Sequence, residues 1–172
     1  ISPNLQKPER AWKHSPQNKI LKDASIEDLV EIFVEQCSNI HTTVKISTIK
    51  DLLNTLQNVI DSYCATSVIY SKDSRFTSLN LLSVIMKFDE YEWDASKTTQ
   101  NIEKAEKADV GIIFSELTLA ESGTVVIQTS PNVGRSLSFL PENSIVIIPK
   151  SSIVPRMTQA AQYLRNQVHI SS

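Results

Sequence analysis

At 172 residues the chain has the length of one domain, enough to bury about 70% of the surface its unfolded form exposes. A composition of 41% hydrophobic and 21% charged residues is that of a soluble globular protein, and a formal net charge of -2 excludes a general attraction to nucleic acid or anionic lipid. Two cysteines, Cys37 and Cys64, far apart and outside any C-x-x-C pair, exclude a zinc site or an iron–sulfur cluster held by these residues alone.

The first 24 residues carry Pro3, Pro8 and Pro16 among polar and basic side chains, which predicts an extended arm with Trp12 as its one large anchor. Residues 25 to 172 are expected to form a single α/β domain. In SIEDLVEIFVEQC the apolar residues Ile26, Leu29, Val30, Phe33 and Val34 recur at helical spacing, with Ser25 as N-cap and Asp28 at the capping-box position. IHTTVKIS, residues 40 to 47, alternates with β-branched residues and predicts a strand holding His41, to which a structural role is given. Ser47 or Thr48 then caps a second helix, TIKDLLNTLQNVIDSYC, with Ile49, Leu52, Leu53, Leu56, Val59 and Ile60 on one face.

TSVIYS, residues 66 to 71, predicts a short apolar strand, SKDSRFTSLN a polar connection, and KFDEYEWD, residues 87 to 94, a further strand. Residues 97 to 107 predict a polar helix, and DVGIIFSE after it the clearest buried strand. This alternation predicts a mainly parallel sheet flanked by helices. SGTVVIQT, RSLSFLP and SIVIIP are three β-rich runs separated by PNVG and PEN turns, which predicts an added β-hairpin or meander, and residues 155 to 168 close the chain as a helix with Pro155 in its first turn. No apolar run approaches the roughly 20 residues that span a bilayer, and no leader pattern opens the chain, so no membrane insertion and a cytoplasmic location are expected.

The stretch SELTLAESGTVVIQT gathers the candidate chemistry. Glu116 ends a buried strand, and ligands in open α/β sheets bind beyond the carboxyl ends of strands. Glu121 and Ser122 follow, then Gly123, which permits positive φ or close backbone approach. The amides from Ser122 to Thr124 could point at an anion, and Arg135 supplies a guanidinium fork for a carboxylate or phosphate. The pattern equally allows a purely structural turn, with Glu121 accepting backbone hydrogen bonds and Arg135 neutralising Glu121 or Glu116. No Ser-His-Asp order, phosphate loop, H-E-x-x-H, EF-hand or dinucleotide-binding glycine pattern occurs.

The run ADVGIIFSELTLAESGTVVIQTSPNVGRSLSFLPENSIVIIPKSSIVPRMTQAAQYL closely resembles the central block of the lactate utilization protein C family, built on the LUD domain. PERAWK and EDLVEIFVEQCSNIHTTV resemble its earlier pieces in the same order. The family's additional N-terminal helix and its glycine-rich C-terminal region have no counterpart within these 172 residues. The resemblance implies a NagB/RpiA/CoA-transferase-like fold and a place in a bacterial system that oxidises L-lactate to pyruvate. It further implies that this chain holds no cofactor and that partner subunits carry the iron–sulfur clusters; the candidate residues Glu116, Glu121, Ser122, Gly123 and Arg135 leave room for a small carboxylate or phosphate ligand beside those partners. Related CoA transferases use a glutamate nucleophile in a turn after a strand. By analogy Glu121 becomes the catalytic residue of an alternative, a stand-alone small-molecule enzyme, with the Gly123 and Thr124 amides stabilising an oxyanion.

Overall fold

The computed structural model describes residues 19–170, with residues 167–170 as backbone only. Most of the expected arm, Trp12 included, lies outside these residues, and residues 19–23 form turns leading into the first helix. That helix, α1 (Ile26–Asn39), has the full capping box: Asp28 N donates to Ser25 Oγ at 3.1 Å and Ser25 N donates to Asp28 Oδ2 at 2.8 Å. Leu29, Phe33 and Cys37, four residues apart, form its buried stripe.

The strand expected over residues 40 to 47 does not form. His41 turns the chain with a φ of 58°, Thr42 N folds back to Cys37 O at 2.8 Å, and the segment runs unpaired, Val44 packing inward while Ile46 is 75% exposed. β-Branched alternation fits a pleated surface, and no neighbouring edge is offered here. The helix after it, α2 (Leu52–Ser62), begins later than expected, because Thr48 and Asp51 close a turn of their own: Thr48 Oγ1 donates to Asp51 Oδ2 at 2.7 Å, and Ile49 is left 80% exposed.

β1 (Ser67–Tyr70) is followed by α3 (Ser74–Ser78), within the segment expected as a polar connection, and then by α4 (Leu82–Ile85). Asp73 caps α3, and Phe76 turns fully into the core, edge-on to Tyr70 and Phe114. β2 (Asp89–Glu92), α5 (Thr98–Lys107) and β3 (Val110–Phe114) stand where the sequence places them. Next come β4 (Leu117–Leu119), β5 (Thr124–Val126), β6 (Asn143–Ile147), β7 (Ile153–Val154) and α6 (Met157–Ile170).

The expected mainly parallel sheet is present, with all four strands parallel in the order β2-β1-β3-β6. Its alternation builds two cores. Val68, Tyr70, Val110, Ile112 and Phe114 face α2 and α4, while Ile69 and Ile113 face Trp93, Leu137 and Ala105 of α5. A hairpin does form, but as β4 against β5, one strand earlier than the runs expected to make it, and in a separate three-stranded sheet ordered β5-β4-β7 rather than joined to the parallel one. Ala120 and Ile153 of this second layer pack on α1, and Leu117 and Leu119 on Ala160 of α6. Two of the three β-rich runs therefore behave differently from expectation. SIVIIP joins the parallel sheet beside β3, and RSLSFLP coils into a 3₁₀ turn, Arg135–Ser138, that buries Leu137 and leaves Phe139 78% exposed. Among the described residues no helix is long and apolar enough to cross a membrane.

One carboxylate ties the amino ends of the central strands. Asp109 Oδ2 accepts from Thr66 N at 2.7 Å, Ser67 N at 2.9 Å and both hydroxyls, and these donors hold its pKa down to about 2. A folded-state pKa below the unfolded value stabilises the fold above the unfolded pKa and is lost as pH falls through the folded one. Asp109→Ala is accordingly expected to cost about 1 kcal/mol at neutral pH, held to that size by solvent screening. Urea midpoints measured across pH should show the deficit closing between about pH 4 and pH 2; a constant deficit would mean the carboxylate's charge is irrelevant.

Candidate functional site

The chain runs from β1 outward to β2 and then returns across β1 to β3, so the connections diverge between β1 and β3. That divergence is the topological switch point, where open α/β sheets leave a crevice beyond their carboxyl ends. The residues following those two strands meet there. Arg75, in α3 just beyond β1, donates Nε to Asp73 Oδ1 at 2.9 Å and Oδ2 at 3.0 Å, and Nη2 to Asp73 Oδ2 at 2.6 Å. The same Nη2 also reaches Oε1 of Glu116, which stands at the joint where the chain leaves the first sheet for the second. The guanidinium lies 4.4 Å from the centroid of the Phe114 ring, which fixes its plane. Among the described residues Nη1 has no hydrogen-bond partner.

Burial disfavours the charged Asp73 carboxylate, but the Arg75 hydrogen bonds and charge outweigh that and hold its pKa below the ordinary value. The same bonds raise the pKa of Arg75. Burial, reinforced by Glu90 and Glu92, pushes the Tyr70 phenol up, so it stays neutral at the carboxyl end of β1. Lys72, Asp73, Ser74, Arg75, Thr77, Glu92 and Asn132 line an open groove of about 770 Å³ here. Lys72 is exposed and in no ion pair among the described residues, while Lys72 N donates to Asn132 O at 3.1 Å and draws the 130–134 loop over the groove. At the first position beyond β1, the hydroxyl of Ser71 is buried without a partner.

Glu121 lies at the opposite end of β4 from Glu116, in a 3₁₀ turn over Ala120–Ser122. Its Oε2 forms an ion pair with Nε of Arg156 at 2.5 Å, and its own N–H donates to Pro155 O at 3.2 Å, so the turn is tied to the start of α6. Gly123 ends that turn with a φ of 64° against the end of α1, where an added Cβ would stand 3.3 Å from both the nitrogen and the sulfur of Cys37. Ser122 Oγ donates to Thr124 Oγ1 at 2.9 Å, one hydroxyl engaging the other across the glycine. Arg135 is exposed and pairs with neither Glu116 nor Glu121 among the described residues, since Arg75 and Arg156 take those partners.

Of the sequence candidates, only Glu116 thus reaches the switch point; Glu121, Ser122, Gly123 and Thr124 form a corner at the other end of β4, with Gly123 close against α1 and the side chains of Ser122 and Thr124 exposed. The sequence reading missed Asp73 and Arg75, whose one available signal was their place just after a buried strand, in a segment read as connection.

Comparison with known proteins adds a family. The sequence model described as LUD domain matches residues 30–171. The chain is similar to lactate utilization protein C of Anoxybacillus flavithermus, 40% identical over 172 residues, all of this chain and 77% of that one. It is 45% identical over 163 residues to the protein of the same name from Bacillus subtilis, covering 91% of this chain and 68% of the relative. A crystal structure of a DUF162 family protein from Deinococcus radiodurans shares the fold with a TM-score of 0.69 at 14% identity, covering 86% of this chain and 84% of that one.

The corner at Gly123 makes a direct test. Gly123→Ala must hold an L-residue at positive φ against Cys37, and is expected to cost about 1 to 2 kcal/mol, whereas Glu121→Gln, which keeps an acceptor for Arg156, should cost about 1 kcal/mol or less. Thermal melts of the two variants in that order support a packed corner; the reverse order would place the main constraint in the ion pair.

Proposed function

This chain belongs to the LUD domain family, and we propose that it works in lactate utilization as a non-redox component, beside partner subunits that carry iron–sulfur clusters. The observation that carries the reading is the 40 to 45% identity to proteins named lactate utilization protein C along almost the whole chain. Cys37 and Cys64, the two cysteines of these 172 residues, are half the thiolates that a four-cysteine cluster needs; one is buried against Gly123 and the other exposed. The place offered for a small molecule is polar and open, at the carboxyl edge of the parallel sheet, which suits binding and positioning rather than electron transfer.

The alternative enzyme built on Glu121 has less behind it. Its carboxylate is engaged by Arg156 and sits at the end of β4 away from the groove, so an attack on a substrate would first require that pair to open.

The test is genetic. The protein, expressed in a Bacillus subtilis strain lacking its own lactate utilization protein C, is expected to restore growth on L-lactate without changing growth on pyruvate. Glu121→Gln should restore it equally well. Soluble, folded protein that fails to restore growth would defeat the lactate reading, and a folded Glu121→Gln protein that fails where the wild type succeeds would revive the glutamate nucleophile.

A further inference from the structure

We propose that Arg75 is the anchor of a binding site for a small monocarboxylate, and that Glu116 is its resident occupant, displaced when the ligand binds. A guanidinium offers two edges to a planar oxyanion, one formed by Nε with Nη2 and one by Nη1 with Nη2. Asp73 fills the first edge with three contacts at 2.6, 2.9 and 3.0 Å. Glu116 occupies only half of the second: its Oε1 meets Nη2, while Nη1 has no partner among the described residues. The second edge is therefore set for a bidentate carboxylate and holds a single-point one.

Three further features fit that assignment. The cation–π contact with Phe114 and the fork to Asp73 hold the guanidinium rigid, so its open edge is presented without reorganisation. Arg75 lines the groove at the switch point with its side chain 32% exposed, so the guanidinium can be reached from solvent, and Lys72 adds a second cation to the lining. Glu116 is the less enclosed of the two acids: its side chain is 36% exposed against 16% for Asp73, and it has no other side-chain partner among the described residues.

Charge selects the ligand class. Replacing Glu116 by another monocarboxylate exchanges one negative charge for one on the same donors. A dianionic phosphate would add charge to a groove whose walls already bear Asp73 and Glu92. The hydroxyl of Ser71, buried at the first position beyond β1 without a partner, is a further polar group at this end of the sheet that the resident arrangement leaves unused. The site lies apart from the Glu121 corner, and the assignment stands on Arg75 whatever pathway the protein serves.

The experiment is calorimetric titration of the whole protein with acetate, pyruvate, L-lactate and inorganic phosphate, using the wild type, Glu116→Gln, Lys72→Ala and Arg75→Lys, each first shown to be folded by its melting profile. Saturable binding of the monocarboxylates is expected, with mutual competition. Glu116→Gln, which weakens the internal competitor, should tighten it roughly tenfold. Lys72→Ala should loosen it several-fold, and Arg75→Lys, which keeps the charge and loses the fork, should abolish it or weaken it by more than tenfold. Should Arg75→Lys fail to fold, the opposed effects of Glu116→Gln and Lys72→Ala decide the matter alone. The proposal is overturned if neither wild type nor Glu116→Gln binds any monocarboxylate, if Glu116→Gln binds more weakly than wild type, or if phosphate binds more tightly than acetate. Because acetate is among the probes, Arg75-dependent binding without rescue of growth on lactate would sink the pathway reading and leave the site standing, and rescue of growth without Arg75-dependent binding would do the reverse.

Discussion

The register between β1 and β3 is the constraint on which the rest of the molecule depends, and Asp109 is what pins it. Its carboxylate, just before β3, takes the amides and hydroxyls of Thr66 and Ser67 at the entrance to β1, so that Val68 stands opposite Val110 and Tyr70 opposite Ile112. A slip by one residue would turn Val68 and Tyr70 away from the core that contains Phe76 and Phe114 and exchange the two faces of the strand. The same backbone continues the tie outward: Asp109 O accepts Asn143 N at 2.9 Å and so fixes where β6 begins. With the amino ends aligned, the carboxyl ends are aligned too, and the segment after β1 is brought against the segment after β3.

That alignment separates the two glutamates which look alike in the sequence. Both flank β4, and each is neutralised by an arginine from elsewhere in the chain, but the two pairs have different neighbours. Glu121 meets Arg156 where α6 begins, beside a glycine pressed onto α1, a place with its backbone and side chain both committed to holding layers together. Glu116 meets an arginine that already has a better partner in Asp73 and that borders an open groove. A carboxylate loosely held on a well-held cation is exchangeable, while one that joins two packed layers is not. The acid beside the groove and the acid tied to α6 thus lie at the two ends of β4.

Much of the architecture was legible because it follows from local chemistry. The capping box at Ser25 and Asp28, the buried run of β3, the polar period of α5 and the alternation of helices with apolar strands each depend on residues close in sequence. The failures share a cause as well. IHTTVKIS has strand-forming residues but no edge to pair with, and RSLSFLP alternates apolar side chains yet coils because Leu137 must reach the core beside Ile113 while Gly134 passes against Trp93, where a Cβ would stand 2.0 Å from the indole. Strand formation is decided by a partner that local sequence does not contain.

The sequence by itself therefore determined the class of fold, the mainly parallel sheet and the family, because periodicity, capping and family motifs are written in neighbouring residues. Only the tertiary structure decided which arginine meets which glutamate. Arg75 and Glu116 are 41 positions apart in the chain, as are Asp109 and the residues it clamps by 42 and 43, and such pairs exist only once strand order and register bring them together. A charged side chain carries no local mark of the partner it will find across a sheet, so Arg135 could stand in for Arg75 on paper and not in the folded molecule.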